Sequence, residues 1–375
     1  MRDFVMTSES VTLGHPDKLC DQISDAVIDA CLTADVGRNA VAECAVATGV
    51  VFLSVRGLPE PPCDLAALAR RVIAEAGYDH AMGDGAGPTV MLDLATDGGA
   101  ADARRGQMTT AFGFACDHTE QAIPLPIWAA HRLTRALDAA RQEQRLTWLS
   151  PDAQAQVAVS FRNRIPVGLP GLAFAFGTTE TVNPATIEAA LHKEVITPAF
   201  AGGPIAPDPA TRLVWHAIPG VAGPEAHSGQ TGRKTADDTY GGYSRQSSAA
   251  LSGKGPARID RTAQYAARQA ARLVLAAGLA RECEVQLSYI LGDEAPASIE
   301  VDTFGTGAAA DEQISRRLAS VLDFRVGAIA ERMGLWTRPA AQGGRFYRDL
   351  ATYGHMARDD IAAPWEDVTL ASALA

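Results

Sequence analysis

Three long stretches with helical spacing of apolar residues, each set among runs of strand-forming residues, limit most strongly what this chain can fold into. The first, Leu19 to Ala34, carries Ile23, Val27, Ala30 and Cys31 at helical intervals, with Asp21, Asp25 and Asp29 between them, the pattern of an amphipathic helix. The second runs from Pro126 to Gln144, and the third from Asp260 to Ala277, ending at Gly278. Around the first, Ala40 to Val55 reads as paired strands turning at Thr48-Gly49, Leu65 to Gly77 as a shorter helix, and Thr89 to Leu94 as a strand. Strands near Gln156 to Phe161 and Leu172 to Gly177, and a helix over Pro184 to Val195, accompany the second. Strands at Glu284 to Leu291 and Ala297 to Phe304, and a helix at Asp311 to Val321, accompany the third. The expectation is an α+β protein of three similar units in an internal three-fold arrangement, without a residue-level repeat. The units are placed at 1–98, 111–220 and 221–375. Between the first two, the segment Thr96 to Thr110, with Gly98, Gly99, Gly106 and the pair Arg104-Arg105, reads as a loop, and 99–110 is assigned as a mobile active-site loop.

With 375 residues, 47% of them hydrophobic, the chain is long enough for two or three cores. Its net charge of −11 argues against a broad nucleic-acid or anionic-membrane surface, so positive potential has to be local and directed at a small anion. The six cysteines show neither CxxC nor zinc-like spacing, and the N-terminus Met1-Arg2-Asp3-Phe4-Val5 lacks an apolar leader. Buried free thiols and a cytoplasmic protein without a membrane span are the expectations.

Of the 33 basic residues only Lys18, Lys193, Lys234 and Lys254 are lysine, and three of the four fall in short polar motifs. These are Gly14-His15-Pro16-Asp17-Lys18, Thr231-Gly232-Arg233-Lys234, and Ser252-Gly253-Lys254 running on to Arg258-Ile259-Asp260. Together they supply a histidine, two carboxylates and five cations. Carboxylates hold Mg²⁺, cations take phosphoryl oxygens, and the set neutralises charge as a bond to oxygen breaks, which points to a nucleoside triphosphate. Pro16 suits a first helical turn, so His15, Asp17 and Lys18 fall at a helix N-terminus, where unpaired N–H groups favour an anion.

These motifs, with Thr7-Ser8-Glu9-Ser10-Val11, Cys20-Asp21-Gln22-Ile23-Ser24-Asp25-Ala26, Phe112-Gly113-Phe114-Ala115, Asp238-Thr239-Tyr240-Gly241-Gly242, Tyr353-Gly354-His355 and Pro364-Trp365-Glu366, resemble the S-adenosylmethionine synthetase (methionine adenosyltransferase) family over nearly the whole chain. The resemblance implies three α+β domains with pseudo-three-fold symmetry and a homodimer or homotetramer with active sites between subunits. It implies attack of a nucleophile on C5′ of ATP, with loss of triphosphate that is then cleaved to pyrophosphate and phosphate using Mg²⁺ and K⁺. By position, His15, Lys18, Arg233 and Lys254 match catalytic residues. Lys234, Arg258, Asp152 and Gln154 match the nucleotide site, Asp17 and Asp260 the magnesium carboxylates, and Glu43 and Ser252 the potassium neighbourhood.

The departures from the pattern cluster in the acceptor pocket. Ser54-Val55-Arg56 stands where the family has Gly-Gly-Glu, whose carboxylate meets the methionine ammonium, and Gly106-Gln107-Met108-Thr109 stands for Gly-Asp-Gln-Gly. His227 takes the place of a third carboxylate, Asp97 that of a glutamine, and Gln154 that of a lysine. The adenine-stacking phenylalanine falls at Pro219, with Trp215 or His216 as alternative stacking residues. Removing carboxylates from an ammonium site forfeits about 1.5–3 kcal/mol per charge-assisted bond. The expected activity is therefore an adenosyltransferase whose acceptor is a methionine analogue or another nucleophile. An ordinary methionine adenosyltransferase and a non-catalytic nucleotide-binding regulatory homologue are the two alternatives.

Overall fold

The computed structural model describes residues 3–78, 87–96, 108–358 and 360–374. The strands are β1 (Asp3–Val11), β2 (Val41–Ala47), β3 (Val50–Arg56), β4 (Thr89–Ala95), β5 (Thr109–Cys116), β6 (Leu149–Arg162), β7 (Ile165–Thr178), β8 (Arg212–Pro219), β9 (Gly229–Gln230), β10 (Glu282–Tyr289) and β11 (Ser298–Asp302). The helices that matter for the site are α1 (Pro16–Ala34), α2 (Leu65–Glu75), α3 (Leu125–Gln142) and a fourth long one, Ile259–Ala276, called α4 below. The segment read as a helix over 184–195 forms as Pro184–Ala190 and continues through a π turn, Leu191–Ile196, into Thr197–Phe200.

Three sheets form, in the orders β1-β6-β7-β8, β11-β10-β5 and β4-β3-β2-β9. Each is covered by one long helix: α3 lies on β1 and β6, α4 on β5 and β10, and α1 on β2. The α+β class and the three-fold repetition of sheet plus helix therefore hold. Every sheet collects strands from distant stretches: β1 pairs antiparallel with β6, with Asp3 opposite Arg162, β5 pairs with β10, and β9 closes the edge of β2. Thr109 and Thr110, read as the end of a loop, open β5 instead, because they pair with Tyr289 and Ser288. Thr96 and Met108 lie outside the strands, and residues 97–107, the rest of that loop assignment, lie outside the described residues.

Helix α1 departs from the amphipathic reading. Its apolar side is buried as expected, but Asp21, Asp25 and Asp29 are equally buried, and each takes hydrogen bonds from another part of the chain. Asp21 accepts from Lys18 Nζ and from the backbone N of Gly232, Asp25 from Arg261 and the N of Gly253, and Asp29 from the N of Tyr347 and of Arg348. Four-residue spacing lines the three carboxylates up on one face. A buried carboxylate is tolerated only when bonded, so this face fastens three C-terminal segments to the N-terminal helix. No helix among the described residues is long and apolar enough to cross a membrane. Five cysteines are buried free thiols, and Cys63 is exposed.

Candidate active site

The site grows from the start of α1. His15 is the N-cap of that helix, with extended φ and ψ of −62° and 134°, and its Nδ1 accepts the backbone N–H of Asp17 at 3.2 Å. That bond makes Nδ1 an acceptor and leaves the proton of the neutral ring on Nε2. Burial, opposed by the Asp152 carboxylate and assisted by the charge of Lys234, lowers the pKa of His15 to about 4. The imidazole is therefore neutral at physiological pH. Capping and a role in the site coexist in one side chain, since the cap uses only Nδ1.

Asp17 follows in the first turn. Its Oδ1 accepts the N–H of Gln230 at 3.0 Å and lies 3.6 Å from Nη1 of half-exposed Arg233. The close approach of β9 to the helix depends on Gly229, where a Cβ would sit 2.2 Å from the carbonyl of Pro16. Across from the helix, β6 supplies Asp152 and Gln154, and the turn before β9 supplies His227. Asp152 Oδ2 lies 2.9 Å from both His227 Nε2 and the N of Gly223, and the rings of His15 and His227 are 5.0 Å apart. The hydrogen bond to Asp152 raises the pKa of His227. These four residues, with Phe176, Ile218, Val221 and neighbouring small residues, line a cleft of about 240 Å³. Its apolar wall is Phe176 and Ile218, and neither Pro219, Trp215 nor His216 lines it.

Glu9, not singled out beforehand as a site residue, joins this group: its carboxylate accepts from Gln154 Nε2 at 2.9 Å and lies 3.7 Å from Lys234 Nζ. The sign was present, since Glu9 belongs to the Thr7–Val11 motif. Its role could not be read there because its partners are 145 residues away or more.

A second group gathers at the start of α4. Lys254 Nζ lies 3.0 Å from Asp260 Oδ2, and Arg258 Nη2 lies 3.6 Å from the same oxygen. Burial lowers the pKa of Lys254 despite the opposing carboxylate. The turn that carries Lys254 is docked on β2: Gly253 O accepts the N–H of Ala42, and Ala40 O accepts the N–H of Gly255. Gly253 has φ +77°, and a Cβ there would meet Ala42 O at 2.0 Å. Ser252 is buried beside this turn, while Glu43 and Arg56 are exposed on β2 and β3. Arg56 does not line the cleft of His15.

Lys18 is placed elsewhere than expected. It is wholly buried in the core, with its ammonium bonded to Asp21 Oδ2 at 3.1 Å and to Asp238 Oδ1, so it does not face a bound anion. Burial opposes its charge, but the carboxylates of Asp238 and Asp21 outweigh that and hold its pKa well above the ordinary lysine range. Asp97 and Gln107 lie outside the described residues.

Carboxylates in the first turns of two helices, each with guanidinium or ammonium groups beside it, and a neutral imidazole capping the first of them suit a polyanion with a hard divalent cation. Family models described as the N-terminal, central and C-terminal domains of S-adenosylmethionine synthetase match residues 3–94, 102–214 and 221–367. Proteins named S-adenosylmethionine synthase from Synechococcus sp. (strain JA-2-3B'a(2-13)) and Trichormus variabilis are each 39% identical to this chain. The alignments cover 99% and 97% of this chain and 97% and 94% of the relatives. A third, from Prochlorococcus marinus (strain MIT 9313), is 40% identical over 98% of this chain and 95% of its own length. With all three domains matched in order around this constellation, the chain belongs to the S-adenosylmethionine synthetase family and is a transferase.

Proposed function

We propose that this transferase moves the adenosyl group of ATP to a nucleophile other than ordinary methionine. The nucleophile forms a bond to C5′ as the C5′–O bond breaks, and the triphosphate leaves with the electron pair. Water then splits the triphosphate into pyrophosphate and phosphate. His15, neutral and protonated at Nε2, donates a hydrogen bond toward the leaving 5′ oxygen rather than delivering a full proton. Arg233, Lys234, Lys254 and Arg258 bind phosphoryl oxygens and stabilise the charge that develops there. Asp17 and Asp260 have the hard oxygen donors that Mg²⁺ requires, and Glu43 and Ser252 offer oxygens for K⁺. The bound cations would add charge neutralisation along the triphosphate.

The observation that carries the altered acceptor is His227. It stands where the family resemblance places a carboxylate, and its imidazole is hydrogen-bonded to Asp152 at 2.9 Å with a raised pKa. A pocket wall that gains positive character repels an ammonium and suits an acceptor that lacks one or carries an extra anion. Arg56 acts in the same direction if a second copy brings it to the cleft. Two exposed apolar faces support such pairing: Val50, Phe52 and Met91 on β3 and β4, and Val5, Val214 and Ile218 on the open face of the β1-β6-β7-β8 sheet.

Mass spectrometry of the products from ATP, Mg²⁺ and K⁺, with and without methionine and with phosphate release followed in parallel, tests the proposal. The expected result is phosphate release, little S-adenosylmethionine, and a 5′-substituted adenosine once a suitable nucleophile is supplied. Robust S-adenosylmethionine would overturn the altered acceptor. Absence of both phosphate release and any adenosyl product would overturn the transfer itself.

A further inference from the structure

We propose that His15, His227 and Asp152 form a binding site for a borderline-soft divalent transition-metal ion, for which Zn²⁺ and Co²⁺ are the probes, chemically distinct from the oxygen-lined magnesium positions. One ligand atom from each of the three residues lies within 4.8 Å of the other two, and no other such trio of histidine, cysteine or acidic residues occurs among the described residues. Two imidazoles and one carboxylate make a nitrogen-rich donor set that Zn²⁺, Co²⁺ or Ni²⁺ prefers and Mg²⁺ does not. The second imidazole is what sets this chain apart: an aspartate at 227 would leave one nitrogen and two carboxylates.

The three residues come from separate, anchored elements. His15 caps α1, Asp152 sits on β6 with its Oδ2 held by the N–H of Gly223, and His227 ends the turn that leads into β9. The His227 side chain is 44% exposed, which gives an ion a path in, and the cleft of about 240 Å³ leaves room for further coordination positions. Without metal, His227 Nε2 and Asp152 Oδ2 share a hydrogen bond, and an ion between them takes over that attraction. Nδ1 of His15 accepts the Asp17 amide, so Nε2 is its ligand atom. Binding there moves the ring proton to Nδ1, so the bond from the Asp17 N–H to Nδ1 is given up and Asp17 Oδ2, now 3.9 Å away, becomes the acceptor as the ring closes on it, the carboxylate–histidine–metal relation common in such sites. An ion so placed occupies the same Nε2 that would face ATP, so metal-loaded and nucleotide-engaged forms of His15 exclude one another.

The test is titration of the chelator-stripped full chain with Co²⁺, in a Cys63→Ser background and without ATP or Mg²⁺, followed by visible absorption. Zn²⁺ competition follows by calorimetry. Because no nucleotide is present, the outcome is independent of which acceptor the enzyme uses. The expected result is one ion per chain with the intense bands of four- or five-coordinate Co²⁺, displaced by Zn²⁺ and not by excess Mg²⁺. His227→Ala should weaken binding by more than ~100-fold, beyond the range of about 10–100-fold typical of losing an outer-shell partner. Asp152→Asn should weaken it similarly, and metal-free His227→Ala should melt at the parent temperature, since that side chain is half exposed. A weak six-coordinate spectrum from the parent, or unchanged Co²⁺ affinity in His227→Ala, would overturn the site.

Discussion

Asp25 of α1 is the most informative position to perturb, because one carboxylate joins the N-terminal helix to the turn that carries Lys254. Nη2 of Arg261 bonds both of its oxygens, at 2.7 and 2.6 Å, and the N–H of Gly253 bonds one of them at 2.8 Å. Arg261 is fully buried, donates from Nη1 to Lys254 O at 2.9 Å, and lies 4.4 Å over the Tyr347 ring. Asp25→Asn preserves shape and one acceptor but leaves the guanidinium charge without its partner. Two weakened bonds to a charged group, at roughly 1.5–3 kcal/mol each, total about 3–6 kcal/mol. That agrees with the ~3–5 kcal/mol typical of breaking a buried ion pair on one side. Against a total stability of about 5–15 kcal/mol, this is a large loss. Urea unfolding followed by circular dichroism and tryptophan fluorescence should show a lower midpoint at an unchanged slope. Phosphate release should also fall, because the Lys254 turn loses an anchor. The neutral pair Asp25→Leu with Arg261→Met should cost less than Asp25→Asn alone, since no charge is stranded. A cost for Asp25→Asn within ~1 kcal/mol of the parent, the range of a surface pair, would refute the reasoning.

Three further outcomes are expected. The His15 imidazole should titrate by NMR near pH 4 rather than 6.5. Its folded pKa is depressed, so the unfolded chain takes up the proton first. The associated stability is present above pH 6.5 and lost as pH falls toward 4, by about 3 kcal/mol. Burial holds the imidazoles of His131 and His355 well below their ordinary range too, so both add to this acid sensitivity, and unfolding midpoints between pH 7 and 4 check the sign. Gly253→Ala forces a left-handed residue, at ~1–2 kcal/mol, and drives a methyl into Ala42 O. It should lower the melting temperature and phosphate release together, and a parental melting curve would show that the turn is free of β2. Lys254→Ala should reduce phosphate release from ATP by about 10²–10³-fold with the fold intact by circular dichroism, and an unchanged rate would remove Lys254 from the site.

The two halves of the site differed in how far they could be read from the chain. The groups at the starts of α1 and α4 are local in sequence, so residue type and helix position were enough to place His15 and Asp17 at the start of α1 and Asp260 at the start of α4, with Lys254 and Arg258 in the motif just before it. Lys18 shares the first motif, yet its side chain points into the core. One helical position separates Asp17, whose carboxylate meets Gln230 and Arg233, from Lys18 in the core, and spacing alone does not show which face is covered. Glu9 and the contact of His227 with Asp152 depend on strands brought together from opposite ends of the chain.

By itself the sequence determined the long helices, the β2–β3 hairpin, the α+β class and the family, because these follow from local periodicity and from contiguous motifs. Only the tertiary structure decided that the acidic stripe of α1 is interior. Local periodicity places Asp21, Asp25 and Asp29 on a polar face, and polar faces are ordinarily solvated. Their partners, including an arginine 236 residues away from Asp25, exist only once the chain has closed on itself. The same is true of β1 beside β6 and β9 beside β2: strand pairing is a long-range choice made by complementary surfaces, and no short window of residues contains both sides of it.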